Sequence, residues 1–256
     1  TPKEYYLRYS MIIKTGDDID LKEISKSLLQ CGYERVEVVE GKGEFSFRGG
    51  ILDVFPPTSA YPYRVELFGD EVDSIRTFNT ESERSIEKVE EFSIFPSKEV
   101  IVDDECRSRA VQNINEELKK VIANVSKENK ESVEKIKGIV GKNIELLNNT
   151  YYFETIDSYL PFFYEKLDSF FDYLQGYTFV VDDFKRSSGK MESIYYEFNE
   201  NYMSFLQRGD ILPSQNSLLL NKGELESKLE NSSLITLSSF LNKSDGLFNT
   251  VDIMAS

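Results

Sequence analysis

The sequence predicts a mixed α/β (α+β) fold, with a small β-rich region over residues 1–98 and a larger α/β region over residues 99–256. Three observations lead to this division. Up to about residue 98, short runs alternate apolar and polar side chains and are separated by glycine or proline. Beyond that point, long polar stretches carry apolar residues at helical spacing. Short β-branched runs lie between those stretches, which indicates helices alternating with strands of a partly parallel sheet.

The β-rich region is predicted to begin with strands and one helix. Residues 5–7 and 11–13 read as strand segments, and a chain that starts this way without methionine suggests part of a longer polypeptide. Asp20 followed by Glu23 is a helix-start signal of the capping-box type. Gly32 suits the end of that helix, because glycine readily adopts the left-handed conformation found there.

Further strands follow in the same region. They are predicted at residues 35–39, 44–48 and 51–55, and Gly49-Gly50 separates the last two. Residues 63–68 and 71–78 flank Gly69-Asp70, which predicts a β-hairpin with a two-residue turn.

The larger region is predicted to alternate helices with short strands. Helical patterns cover residues 104–137, 183–208 and 222–229, and strand patterns cover 178–183, 218–220 and 233–237. The first of these strands is predicted to be buried. An aromatic-dense segment over residues 151–173 contains a single lysine and no arginine, so core packing is a better interpretation than nucleic-acid stacking.

The composition excludes several classes of function. There is no histidine, which rules out an imidazole base and histidine-ligated zinc. A net charge of −15 argues against broad binding to nucleic acid, and two cysteines do not suggest a disulfide framework. No apolar run is long enough to span a membrane, and the first residues do not resemble a signal peptide, so we expect a cytoplasmic protein.

Two features resemble nucleotide-hydrolase motifs without matching them. Residues 138–143 (GIVGKN) have the wrong spacing for a phosphate loop and end in asparagine. Asp182-Asp183 follows a predicted strand, where such enzymes keep a metal-holding acid, but aspartate there also serves as a helix N-cap. Without a phosphate loop we favour the N-cap interpretation.

One strand face stands out in the hairpin. Side chains alternate across a strand, so Arg64 and Phe68 share one face of residues 63–68, and Arg48 lies opposite the apolar face of its own strand. A suitable register would place these three side chains on one solvated surface, the mixture favoured at protein–protein hot spots. Alternatively, Phe68 tucks into the turn and the arginines pair with Glu44 and Glu66.

Long motifs in this region resemble a known family. Residues 41–56 (GKGEFSFRGGILDVFP) and 63–76 (YRVELFGDEVDSIR) resemble the transcription-repair coupling factors (Mfd) and, less fully, the excision-repair helicase UvrB. Residues 80–96, which include RSIEKVE and IFP, look like Mfd rather than UvrB. Residues 158–164 (SYLPFFY) and 171–174 (FDYL) also look like Mfd.

The resemblance implies a domain organisation. Residues 1–98 correspond to the small domain that recruits UvrA, inserted into a larger α/β domain, and the first ten or so residues are the end of the preceding half-domain. Residues 99–256 correspond to the second half of the interrupted domain. The DNA-translocating motor, with its ATP and magnesium, and the RNA polymerase-binding domain lie elsewhere in such a protein.

The resemblance also implies a role for the strand face. Family residues that contact UvrA match Arg48, Arg64 and Phe68, so these are the candidate UvrA-binding residues. No catalytic, cofactor-binding or metal site is expected in this chain. In the whole protein the resemblance implies contacts of other domains with RNA polymerase and double-stranded DNA, and masking of the UvrA-binding surface by a C-terminal domain.

Two other interpretations remain open on the sequence alone. The chain could be a fragment of a UvrB-type helicase that binds nucleotide and damaged DNA. UvrB's tyrosine-rich hairpin and its Asp-Glu-Ser-His run have no clear counterpart here, which counts against that interpretation. A weaker alternative is an acidic α/β enzyme of unknown chemistry.

Overall fold

The computed structural model describes residues 1–124 and 130–237, and it confirms the predicted mixed α/β class. The chain divides into two compact units. Of the described residues, the first contains 1–124, 130–169 and 204–218, and the second contains 170–203 and 219–237. The predicted second region extends to residue 256, so its last stretch lies outside the described residues.

The β-rich part of the first unit is built on two sheets. A six-stranded sheet has the order β2-β3-β4-β5-β6-β7, and a two-stranded antiparallel sheet pairs β1 with β8. The elements are α1 (Lys3–Tyr9), β1 (Met11–Lys14), α2 (Leu21–Gln30), β2 (Glu34–Arg35), β3 (Glu44–Arg48), β4 (Ile51–Val54), β5 (Tyr63–Phe68), β6 (Glu71–Phe78), β7 (Ser85–Val89) and β8 (Glu91–Ile94).

Local chemistry sets the boundaries of these elements as the sequence predicts. The Asp20 carboxylate accepts hydrogen bonds from the backbone N–H groups of Lys22 and Glu23, and so caps the N-terminus of α2. Gly32 follows the helix with a φ of +82°. In the predicted hairpin, Phe68 lies opposite Glu71 across the two-residue turn.

One cluster of buried side chains holds this part together. Alternate residues of β3, β4, β5 and β6 point towards α2 and the β1–β8 pair, because one sheet face is apolar. The cluster comprises Ile13, Leu28, Cys31, Tyr33, Phe45, Leu52, Val54, Val65, Val72, Ile75, Phe92 and Ile94.

A second cluster in the first unit is mainly helical. It lies between α3 (Asp104–Asn124), α4 (Lys130–Asn149) and α5 (Leu160–Phe163), with 3-10 turns at Ile156–Tyr159 and Pro213–Leu218. Tyr159, Phe162, Phe163 and Tyr164 are buried here, which confirms core packing for the middle of the aromatic-dense segment, whereas Phe170 near its end is exposed. The helical pattern predicted over 104–137 therefore covers two helices, with residues 125–129 outside the described range.

The second unit is formed around a parallel pair of strands. Its elements are α6 (Phe170–Tyr173), β9 (Thr178–Asp182), most of α7 (Phe184–Gln207), α8 (Lys222–Glu230) and β10 (Ser233–Leu237). Val180 lies beside Ile235 in the parallel register. Asn221 and Glu224 form a complete capping box at the start of α8.

Several expectations about individual elements were wrong. Residues 5–7 are helical, because Tyr5 packs its ring 4.8 Å from that of Tyr164, a partner too distant in sequence for local pattern to reveal. Residues 218–220 form no strand. The side chain of Gln215 holds the preceding 3-10 turn instead, through hydrogen bonds with the backbone of Leu212 and Ser158.

The third correction concerns burial of the strand at 178–182. It forms, but none of its residues is buried, because β9 pairs with β10 alone among the described strands and one face of that pair is open. The predicted strand at 35–39 is also shorter, ending at Arg35.

Candidate partner-binding surface

The strand register brings the three predicted binding residues to one face of the six-stranded sheet. Arg48 of β3 lies opposite Ile51 of β4, which in turn lies opposite Glu66 of β5. Arg64 and Phe68 stand two residues before and after Glu66, and alternate residues of a strand share a face. The irregularity between β5 and β6 inserts its extra residue into β6, so the alternation of β5 is intact. We call this face, defined by Arg48, Arg64 and Phe68, the arginine–phenylalanine face.

Phe68 is the most exposed large apolar side chain of the described residues, at 83%. It stands at the end of β5, directly before Gly69, whose φ of +67° turns the chain back. The neighbouring Gly50 accepts a hydrogen bond from Leu67 at 2.8 Å, and a Cβ on Gly50 would come within 3.0 Å of the Leu67 carbonyl oxygen. The backbone beneath Phe68 is therefore held closely while its ring faces solvent.

Arg64 is held by a different neighbour from the one the sequence suggested. Its Nε donates to Oδ1 of Asp53 and its Nη2 donates to Oδ2, both at 2.7 Å. The guanidinium carbon also lies 4.5 Å from the centre of the Phe78 ring. The Arg64 and Asp53 side chains are only 19% and 13% exposed. The hydrogen bond to Asp53 raises the pKa of Arg64, which stays charged in any case.

Arg48 is exposed, and its guanidinium donates hydrogen bonds to a backbone carbonyl oxygen rather than to a carboxylate. Its Nε donates to the carbonyl oxygen of Glu37 at 2.9 Å, and its Nη2 donates to the same oxygen. The carboxylate of Glu44 faces its own loop, where it accepts from the backbone N–H groups of Glu40 and Gly41 at 2.8 Å. Within the described part of the chain, no acidic side chain pairs with Arg48, so its positive charge remains on this face.

Glu66 is hydrogen-bonded to Arg76 and Ser74 rather than to Arg48 or Arg64. It accepts from Nη2 of Arg76 at 2.6 Å and from the Ser74 hydroxyl at 3.0 Å. The hydrogen bond from Arg76 lowers the pKa of Glu66. The alternative in which Phe68 tucks into the turn and the arginines pair with Glu44 and Glu66 is thus wrong on each point.

Sequence reasoning missed Asp53 and Arg76, which complete the charge pattern of the face. The alternation of residues 51–54 already placed Asp53 opposite the buried Leu52. Its partner could not be predicted, because the pairing depends on which residue of β5 lies beside Asp53. That register follows from strand order and loop length, which the pattern of a single strand does not contain.

The second unit offers no comparable site among its described residues. Asp183 accepts a hydrogen bond from the backbone N–H of Arg186 at 3.1 Å, which supports the N-cap interpretation of Asp182-Asp183. No group of three or more histidine, cysteine, aspartate or glutamate side chains is placed to hold a metal ion within residues 1–124 and 130–237. Over the same residues, no helix is both long and apolar enough to cross a bilayer.

Comparison with known proteins agrees with these motifs. Residues 11–100 match the family model of the UvrB interaction domain. The chain is 34% identical over 212 residues to a transcription-repair-coupling factor of Bacillus subtilis (strain 168), and 32% identical over 212 residues to one of Staphylococcus aureus (strain MRSA252).

These matches cover 82% of this chain but 18% of each relative, so the chain spans less than a fifth of the length of those relatives. The resemblance indicated by residues 41–56 and 63–76 is therefore confirmed: the chain carries a UvrB interaction domain and is homologous to part of the transcription-repair coupling factors.

Proposed function

We propose that this chain is a non-catalytic adaptor that recruits UvrA for nucleotide excision repair, and that the arginine–phenylalanine face is its binding surface. The observation that carries the proposal is the exposed Phe68, presented between charged side chains by a domain of the UvrB interaction family. An exposed aromatic ring on a rigid strand is a typical hot-spot residue, since it buries a large apolar area at little cost in conformational entropy.

The charges of this face define the partner's chemistry. Arg48 carries a positive charge that no described acidic side chain compensates, so it favours a carboxylate on the partner. A guanidinium binds a carboxylate more strongly than a neutral acceptor, and its planar fork gives directional specificity. We expect an acidic partner surface with an apolar pocket that receives Phe68. UvrA is the partner that the family resemblance implies.

The domain roles form part of the same proposal. Residues 1–98 act as the UvrA-recruiting domain, and residues 99–256 form the second half of an interrupted α/β domain. Support comes from the two separate clusters of buried side chains, one drawn from residues 13–94 and the other from Tyr5, residues 100–164 and Leu212.

In the whole protein, recruitment takes place at stalled RNA polymerase in the cytoplasm. We propose that ATP and magnesium serve a motor outside this chain, that other domains contact RNA polymerase and double-stranded DNA, and that a C-terminal domain masks the surface until the motor engages. Such masking is a shift between two global states, in which the partner binds only the exposed state.

Isothermal titration of this chain with UvrA tests the proposal. Phe68→Ala is expected to weaken binding by about 1–3 kcal/mol, because an anchor at the centre of an interface contributes an effect of this size. Phe170→Ala is the matched control, since Phe170 is a 70%-exposed phenylalanine of the second unit. Equal affinities of the two variants would contradict the assignment of the surface.

An ATPase assay of the same sample separates the adaptor from the UvrB-type helicase fragment. UvrA binding without ATP hydrolysis is expected for the adaptor. Hydrolysis of ATP by these 256 residues would refute it.

A further inference from the structure

We infer that Asp53 is a positioning residue of the arginine–phenylalanine face, which fixes the guanidinium of Arg64 so that one donor edge is presented to the partner. The inference rests on the proposed function, because it concerns how the same surface recognises its partner. It goes further by assigning a role to a carboxylate that would otherwise oppose binding of an acidic partner.

The Asp53 carboxylate holds the Arg64 guanidinium through two hydrogen bonds, and we call this pair of residues the clamp. Asp53 and Arg64 lie directly opposite each other on adjacent antiparallel strands. Both carboxylate oxygens are used, one by Nε and one by Nη2, each at 2.7 Å. Two parallel hydrogen bonds fix the plane of the guanidinium as well as its position, which a single contact does not.

The Phe78 ring provides the third support. Phe78 is buried, and its ring centre lies 4.5 Å from the guanidinium carbon of Arg64. The carboxylate of Asp53 therefore holds one edge of the guanidinium while the ring contacts the group from a second side. Rotation about the side-chain bonds of Arg64 would break at least one of these interactions.

This arrangement leaves Nη1 of Arg64 without a hydrogen-bond acceptor among the described residues. None of the hydrogen bonds of Arg64 found among the described residues uses Nη1, while Nε and Nη2 are both engaged by Asp53. A partner carboxylate or carbonyl oxygen thus meets a donor that is already oriented. Preorganisation of this kind raises affinity, because the entropic cost of ordering the side chain is met before binding.

The neighbouring pair of Arg76 and Glu66 provides an internal control. It lies on the same face of the sheet, but Arg76 contacts Glu66 through one nitrogen only, at 2.6 Å, and its side chain is 30% exposed. The Glu66 carboxylate attracts the charge of Arg64 but accepts none of the Arg64 hydrogen bonds found among the described residues. Glu66→Gln removes the same charge as Asp53→Asn from the same face and leaves both hydrogen bonds between Asp53 and Arg64 in place.

A double-mutant cycle measured by titration with UvrA tests the inference. Asp53→Asn keeps the size of the side chain but removes its charge and one arm of the clamp. We expect it to weaken binding by about tenfold in the natural background and to have no further effect when Arg64 is alanine, since coupled residues are not additive. Glu66→Gln is expected to bind at least as tightly as the natural chain, because it removes a negative charge that faces an acidic partner and leaves the hydrogen bonds of Arg64 in place.

A second variant, Arg64→Lys, keeps the positive charge at this position but removes the planar guanidinium group. Arg64→Lys is expected to lose about as much affinity as Asp53→Asn, because an ammonium group cannot make the two-point contact. Unchanged or tighter binding by Asp53→Asn or Arg64→Lys would overturn the inference, as would an equal loss from Asp53→Asn when Arg64 is already alanine.

The nitrogen-15 NMR signal of the Arg64 Nε–H group separates this inference from the proposed function. It requires no partner. A signal that exchanges slowly in the natural chain and rapidly in Asp53→Asn supports the clamp, even if the natural chain fails to bind UvrA and the proposed function falls. A signal that exchanges rapidly in both proteins would overturn the clamp regardless of UvrA binding.

Discussion

The six-stranded sheet and the β9–β10 pair both carry exposed apolar side chains, but they differ in how firmly each is supported. The six-stranded sheet rests on a core in which Phe45, Leu52 and Val65 are fully buried. Among the described residues of the second unit, Leu229 alone is buried, at 7% exposure. A solvent-exposed side chain on the first sheet is therefore held in place from below, whereas one on the β9–β10 pair has little packing beneath it.

The exposed faces themselves also differ. Phe68 is a single aromatic residue among charged side chains, which suits an anchor that inserts into a partner. On the β9–β10 pair, Val180, Ile235 and Leu237 form a contiguous apolar group. Both faces therefore expose apolar side chains, but they differ in the packing beneath them and in the charges around them. Rigid support and a pattern of charges are what distinguish the first face.

The largest expected effect tests the packing of the first sheet. Phe45→Ala should lower the free energy of unfolding by about 3–5 kcal/mol, because it leaves a cavity where the surroundings cannot collapse. Phe179→Ala, in the partly buried strand β9, should cost only about 1–2 kcal/mol, because less apolar area is lost from the core. Urea unfolding followed by circular dichroism measures both. Equal losses would remove the proposed difference between the sheets.

A second test compares local stability without mutation. Backbone amides of β9 and β10 should exchange with deuterium about 100-fold faster than those of β4 and β5, because weakly packed elements open locally at low cost. Hydrogen exchange followed by mass spectrometry resolves these peptides. Slower exchange in β9 and β10 than in β4 and β5 would contradict the comparison.

The smallest effect concerns one helix from each unit. Asp20→Ala removes the cap of α2, and Asn221→Ala removes the capping box of α8. Each should cost about 1 kcal/mol of helix stability. The loss of Asp20 should appear in the unfolding of the β-rich part, and the loss of Asn221 in faster amide exchange of α8. A loss above about 3 kcal/mol at either position would mean that the side chain does more than cap its helix.

Features set by neighbouring residues could be predicted from the sequence. Asp20 as a cap, Gly32 at a helix end and the Gly69-Asp70 turn all depend on chemistry within a few positions. The same holds for the placement of Arg64 and Phe68 on one strand face, which needs only the alternation of side chains.

Features that depend on distant partners could not be predicted in this way. Residues 5–7 alternate too briefly to distinguish strand from helix, and the contact of Tyr5 with Tyr164 decides the outcome. Arg64 had several acidic residues within reach, and only the register of β4 against β5 selects Asp53. Burial of β9 was overestimated, because an apolar strand pattern does not reveal how many neighbouring strands will cover it.

The role of Phe68 as the anchor for UvrA is decided by titrating UvrA with the natural chain, Phe68→Ala and Phe170→Ala. We expect the natural chain and Phe170→Ala to bind equally, while Phe68→Ala loses about 1–3 kcal/mol of binding free energy. The unfolding free energy of Phe68→Ala should stay within about 0.5 kcal/mol of the natural chain. Equal binding by all three proteins, or a loss shared by both variants, would contradict this role.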